Sequence, residues 1–119
     1  MLKVLIAGSR DFDDYTSTKD FINYCLKEMG ETSSVTVLSG GCRGTDKLGE
    51  LYAEEYGYEV RRYPADWKRF GKAAGPIRNE MMVKEADIII CFPKTESRGS
   101  MSVIRLAGKY GKDIYIKFV

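Results

Sequence analysis

Short apolar runs recur along the chain at nearly even intervals. Lys3–Ala7, Val35–Leu38, Glu59–Tyr63, Asp87–Phe92 and Asp113–Phe118 are rich in β-branched and aromatic residues, and their starts lie 32, 24, 28 and 26 residues apart. Each interval leaves room for one helix, which is the βαβ rhythm of a parallel sheet. Val4-Leu5-Ile6 and Ile88-Ile89-Ile90 are apolar without alternation, the pattern of strands covered on both faces.

The intervening stretches carry helical period. Ile22, Cys25, Leu26 and Met29 fall at i, i+3, i+4 and i+7, and Gly30 follows as a stop signal. Leu48, Leu51 and Tyr52 form a second stripe that ends near Gly57. Ile77, Met81, Met82 and Ala86 form a third, and Ile104, Ala107 and Tyr110 a fourth that ends at Gly111. Each stripe is expected to pack on the sheet. Right-handed crossovers then favour a five-stranded parallel sheet of order 3-2-1-4-5, with helices on both faces and a switch point between strands 1 and 4. The predicted fold is thus α/β, a Rossmann-like three-layer sandwich. Ala65–Gly75, which holds the only tryptophan, Trp67, reads as the one long irregular connection. With no repeat and no linker in view, residues 1–119 read as a single domain.

Composition narrows the chemistry. A chain of 119 residues buries enough surface for a core without staples. Nineteen Lys and Arg against 17 Asp and Glu leave a net charge of +2. That balance argues against a protein organised around a polyanionic backbone, so nucleic acid is the disfavoured partner. The absence of histidine removes the commonest general base and the commonest metal ligand, and no metal or cofactor is expected. Cys25, Cys42 and Cys91 are odd in number and show no CxxC spacing. They signal neither a zinc site nor a disulfide framework and fit a reduced, cytoplasmic setting. No apolar run of about 18 residues occurs, so no membrane span is expected.

In open α/β sheets ligands bind at the carboxyl ends of the strands, near the switch point. Glycine and polar residues gather at those positions. Gly8-Ser9-Arg10-Asp11 follows strand 1, where glycine permits close backbone approach and arginine can fork onto phosphate. Ser39-Gly40-Gly41-Cys42-Arg43-Gly44-Thr45-Asp46 follows strand 2. Three glycines in five residues before a helix suit an anion nest reinforced by the helix dipole. The loop is neither a Walker A nor a GxGxxG fingerprint. Thr45 or Asp46 suits a helix cap, and Asp46 equally suits a ribose diol. Gly75-Pro76-Ile77-Arg78-Asn79 opens helix 3, with proline in the first turn. Arg78 there opposes the helix dipole, a cost that either a bound anion or a carboxylate partner would relieve. Ser97-Arg98-Gly99-Ser100 opens helix 4 after strand 4.

These residues resemble a known family. Gly8-Ser9-Arg10, Gly40-Gly41-x-Arg43-Gly44-x-Asp46, Ala65-Asp66-Trp67, Gly71-Lys72-Ala73-Ala74-Gly75-Pro76-x-Arg78-Asn79-x-Met81 and Ser97-x-Gly99 look like the YspA-type, cpYpsA-related family of the SLOG superfamily. The match runs from strand 1 to strand 5. The superfamily also holds LOG-type phosphoribohydrolases, which cut a nucleotide's N-glycosidic bond, and DNA-processing protein A. The resemblance implies a nucleotide or nucleotide-derived ligand at the glycine loops. One departure matters: the hydrolases carry PGGxGTxxE after strand 4, and Val103 stands where their catalytic glutamate belongs. Gly99-Ser100 matches their GT pair, and Arg78 matches their helix arginine. A valine cannot activate water or stabilise an oxocarbenium-like centre.

The expectation is a domain that binds or senses a nucleotide-derived small molecule. Its contacts would be Gly8, Ser9, Arg10, Ser39, Gly40, Gly41, Arg43, Gly44, Asp46, Trp67, Gly75, Pro76, Arg78, Asn79, Ser97, Gly99 and Ser100. Arg10, Arg43 and Arg78 would neutralise phosphate, and Trp67 would stack on a base. The balance leans away from an enzyme. The alternatives are a nucleotide N-glycosidase, with Asp46 the best catalytic candidate, and an accessory protein for single-stranded nucleic acid. The last draws on basic and aromatic residues interleaved between Arg61 and Lys72. Homo-oligomerisation is left open.

Overall fold

The computed structural model describes residues 1–30 and 34–119. Five strands, β1 (Leu2–Gly8), β2 (Val35–Ser39), β3 (Glu59–Arg62), β4 (Ile88–Phe92) and β5 (Asp113–Ile116), form one sheet in the order β3-β2-β1-β4-β5. All four pairings are parallel. The chain crosses over with α1 (Tyr15–Met29), α2 (Thr45–Tyr56), α4 (Ala74–Glu85) and α5 (Arg98–Lys109). The predicted topology and its switch point between β1 and β4 are both present.

Alternation within the strands divides the core into two halves. Val4, Ile6, Val37, Ile88 and Ile90 face Ile22, Cys25 and Leu26 of α1 and Tyr52 and Ala53 of α2. Leu5, Ala7, Leu38 and Ile89 face Met82 and Val83 of α4, Ala86 just beyond its end, and Val103 and Ala107 of α5. This is why the central strands are continuously apolar: neither face meets water. Among the described residues no helix is long and apolar enough to cross a membrane.

Three expectations are corrected by the packing. Leu51 and Met81 are exposed rather than on the sheet-facing stripes. The buried face of α4 is turned by about one position and carries Ala74, Gly75, Arg78, Asn79, Met82 and Val83. On α5 the buried residues are Ser100, Val103 and Ala107, with Ile104 and Tyr110 only partly covered. The segment Ala65–Gly75 is also more regular than expected. It holds the short helix α3 (Trp67–Phe70), a 3₁₀ turn at Gly71–Ala73 and the start of α4. The Asp66 carboxylate accepts from the Arg69 N–H and so caps α3.

Candidate ligand-binding site

The carboxyl ends of β1 and β4 part at the switch point, and a groove of about 680 Å³ opens there. Its size falls within the range of small-molecule sites. Gly8, Ser9 and Arg10 form one wall, and Ser97, Gly99 and Ser100 form the other at the start of α5. Ser97 caps α5 without a side-chain hydrogen bond, so the first-turn N–H groups keep their free donors. Among the described residues the buried Ser100 hydroxyl has no hydrogen-bond partner beside it except the weakly hydrogen-bonding Cys91 thiol. That is costly for a hydroxyl unless a ligand or water supplies the partner.

Behind the groove lies a recess of only about 50 Å³, lined by Gly8, Arg10, Asp46, Arg78, Asn79 and Ser100 among others. A water molecule's share of liquid is about 30 Å³. The recess therefore admits a hydroxyl or a water, and a sugar or base ring must stay in the outer groove. Arg78 is 8% exposed. It donates through Nη1 to the Gly40 carbonyl at 2.8 Å and through Nε to Asn79 Oδ1 at 2.9 Å. Among the described residues Nη2 reaches only the Cys42 Sγ, at 4.0 Å. No carboxylate among the described residues lies within ion-pair distance of Arg78, but the Asp46 carboxylate stands close enough for the two charges to attract. Asp46 Oδ2 accepts from the Cys42 N–H at 3.1 Å. Burial pushes its carboxyl up to about 6, against the opposing pull of the Cys42 N–H and the Arg78 charge.

The loops that carry these groups are tied to one another. The Ser9 N–H donates to the Phe92 carbonyl at 2.9 Å. Thr45 donates to the Ser9 carbonyl through its N–H at 3.0 Å and its Oγ1 at 2.9 Å. Gly44 precedes it at φ +78°, and a Cβ there would stand 2.5 Å from the Arg10 and Ser9 carbonyl oxygens. Only glycine fits a left-handed position against two carbonyls. Gly44, and neither Thr45 nor Asp46, occupies the cap position of α2. A Cβ on Gly8 would similarly strike the Phe92 carbonyl at 2.4 Å. These contacts preorganise the groove mainly through the main chain, with the buried Thr45 hydroxyl as the one side-chain tie among them.

Ten of the sequence-predicted residues therefore converge on the groove and recess: Gly8, Ser9, Arg10, Arg43, Asp46, Arg78, Asn79, Ser97, Gly99 and Ser100. Arg43 is engaged at the rim, pairing with Asp11 at 3.3 Å where both are exposed. Gly40 backs the recess through its carbonyl. Ser39, Gly41, Gly44, Trp67, Gly75 and Pro76 line neither space. Ser39 is instead a brace: its Oγ donates to Glu50 at 2.7 Å and accepts the Gly41 N–H at 3.1 Å. Although burial works against it, the Ser39 hydroxyl and the Arg62 guanidinium hold the Glu50 carboxyl below the usual range. Sequence reasoning missed Phe118 and Val119, which close the groove's outer side. They reach it because the Lys117 and Val119 N–H groups continue the β4 pairing onto the Cys91 and Pro93 carbonyls. Val103 borders the recess with its side chain in the core, so no acid occupies that position. Among the described residues no cluster of His, Cys, Asp and Glu is arranged to hold a metal ion.

Residues 2–70 match the YAcAr family, described as the YspA, cpYpsA-related SLOG family. The gene 61 protein of Mycobacterium phage D29 is 35% identical over 118 residues, covering 93% of this chain and 92% of that protein. Among solved structures, DNA processing protein A of Streptococcus pneumoniae superposes with a TM-score of 0.76 at 20% identity, over 98% of this chain and 50% of that one. DNA processing protein A of Helicobacter pylori, solved for its single-stranded DNA binding mode, gives 0.67 at 24% identity over 97% of this chain and 64% of its own. The structural-genomics target TM1055 gives 0.66 at 19% identity, over 96% of this chain and 72% of that one. This chain thus spans half to two-thirds of the DNA processing proteins, and at these identities the likeness establishes the fold.

Proposed function

The chain belongs to the YspA, cpYpsA-related SLOG family, and we propose from that premise that residues 1–119 act as one domain that binds a nucleotide-derived small molecule. The phosphate lies against the first turn of α5, where Gly99 and Ser100 present donors and the helix dipole favours an anion. Arg10, at the mouth of both spaces, neutralises it. The sugar and base occupy the outer groove, because the recess is too small for a ring, and a sugar hydroxyl points toward Asp46 and Arg78.

The observation that carries this reading is the Ser100 hydroxyl, buried at the meeting of groove and recess with only the Cys91 thiol beside it among the described residues. Thermal-shift measurements with nucleoside phosphates, NAD derivatives and cyclic dinucleotides test it. A ligand at about 100 times its Kd stabilises by about 2.7 kcal/mol, a shift of about 10 °C for a domain of this size. No shift with any of these compounds, on a protein with an intact fold, counts against the reading.

A second reading, cleavage of an N-glycosidic bond, is favoured by one observation: Asp46 is buried with its carboxyl near 6, in a recess of water size. Such a group is suited to exchange a proton near neutral pH. Chromatography for free base after incubation with nucleoside monophosphates decides it. Release abolished by Asp46→Asn supports catalysis, and no release at high protein concentration leaves the site a binding site.

A further inference from the structure

A nearly neutral total hides an uneven distribution of charge. Between Arg61 and Lys72 the chain places Arg61, Arg62, Lys68, Arg69 and Lys72 against one carboxylate, Asp66. The other 107 residues hold 14 cations and 16 carboxylates, so the positive excess of the whole chain resides in this stretch.

The fold brings the stretch to the surface as the end of edge strand β3, α3 and the 3₁₀ turn. Trp67 is 56% exposed and Phe70 is 39% exposed, and neither joins the core clusters. The Trp67 ring is nevertheless seated. Its Cη2 would lie 3.4 Å from a Cβ on Gly75, so the ring edge rests against the backbone of the first turn of α4. The Arg69 guanidinium stands 5.0 Å from the centre of the Phe70 ring. Glu50 occupies Arg62, and the Asp66 carboxylate is occupied by its cap. Lys68, Arg69 and Lys72 form no ion pair among the described residues. Three cations without an ion-pair partner among the described residues are thus neighbours in sequence of two exposed aromatic rings, with Arg69 standing over Phe70.

We propose that this surface binds single-stranded nucleic acid, separately from the nucleotide groove and independently of that reading. Unpaired bases offer π-faces to Trp67 and Phe70, and each nucleotide brings a phosphate to the cations. A duplex hides its base faces, and an acidic peptide offers charge without a stacking partner. A four-residue helix is too short to lie in a lipid interface by an amphipathic face. The net charge, which by itself argues against nucleic acid, is the wrong measure here because binding responds to the local field.

Trp67, the sole tryptophan, reports on the site directly. Addition of an unlabelled oligothymidylate of about 20 nucleotides is expected to quench its emission. Fluorescence anisotropy of a labelled copy gives the affinity. With about three phosphates neutralised and a slope of about −0.7 per phosphate, affinity falls about 20-fold between about 50 and 200 mM salt. Trp67→Ala is expected to weaken binding about tenfold, in line with the loss of one stacked base, while Trp67→Phe retains most of it. Lys68→Glu combined with Arg69→Glu and Lys72→Glu is expected to abolish binding and leave nucleotide-induced thermal shifts in place. The proposal is overturned if the wild-type emission is unchanged at about 50 mM salt, if a duplex binds as tightly, or if anionic vesicles bind and the oligonucleotide does not. Full binding by the triple variant with a native circular dichroism spectrum overturns it as well.

Discussion

The Arg78 guanidinium donates to the Gly40 carbonyl at 2.8 Å, joining α4 to the second glycine loop across the back of the recess. The Arg78 end of this contact is buried and the Gly40 end half-buried, and a Cβ on Gly40 would lie 2.9 Å from both Arg78 Nη1 and Asp46 Oδ2. The loop, the carboxylate and the guanidinium are one packed unit. Arg78→Met keeps the bulk of the side chain but leaves the Gly40 carbonyl and Asn79 Oδ1 without their donor. The expected loss is about 1.5–3 kcal/mol, the range for hydrogen bonds to a charged group. Urea unfolding measures it, and Arg78→Lys is expected to recover only part, since an ammonium cannot reproduce the fork.

Ser100 separates a binding role from a structural one. A buried hydroxyl with only a thiol beside it contributes little to the fold, so Ser100→Ala is expected to leave stability within about 1 kcal/mol of the wild type. The same variant is expected to lose most of the thermal shift given by whichever nucleotide the wild type binds. A drop in unliganded stability of more than about 1 kcal/mol would show that the hydroxyl has a partner within the fold.

Gly44 and Gly41 both have positive φ, at +78° and +74°, but only Gly44 is crowded, and a Cβ on Gly41 meets nothing within 4 Å. Gly41→Ala is expected to cost about 1 kcal/mol of backbone strain. Gly44→Ala adds a collision with two carbonyl oxygens and should exceed about 3 kcal/mol, because β1 and α2 must separate. Chemical denaturation of the two variants side by side measures the difference.

Asp46 gives the stability a pH dependence of known sign. Its ordinary value is 3.8 and burial raises it to about 6 in the folded protein. Between those values the folded state holds a proton that the unfolded chain has released. Stability from this group is therefore greatest below about pH 4, falls as the pH rises toward 6, and is level above that. The full change is about 3 kcal/mol at 1.36 kcal/mol per unit. Asp46→Asn removes this slope while keeping an oxygen for the Cys42 N–H. The stability of the wild type relative to this variant is expected to decline by about that amount between about pH 4 and pH 7. Parallel profiles would contradict the assignment.

The helix α4 shows where reading the chain by hydrophobic period fails. Period alone places Ile77 and Met81 inward, yet Met81 is 54% exposed and Arg78 is 8% exposed. The inner positions of this helix look partly onto the recess and the Gly40 carbonyl, where a polar side chain has partners. Ser39 failed in the opposite sense. It stands in a glycine-rich loop suited to phosphate, but Glu50, eleven residues later on α2, occupies its hydroxyl. Trp67 was expected to stack on a base within the groove. It lies outside both spaces, because α3 turns the chain away before α4 begins.

The strand order, the two-sided burial of β1 and β4, and the helix stops at Gly30 and Gly57 follow from short-range causes. Apolar run length, crossover handedness and the tolerance of glycine for positive φ act within one βαβ unit, and each is written in neighbouring residues. The convergence of Asp46, Arg78 and Ser100 has no such local cause. It arises because parallel crossovers deliver every loop after a strand to the same sheet edge, where α2, α4 and α5 begin. Burial at that junction then raises the Asp46 carboxyl, sets Arg78 beside it and covers the Ser100 hydroxyl, and those are properties of the assembled fold rather than of any segment.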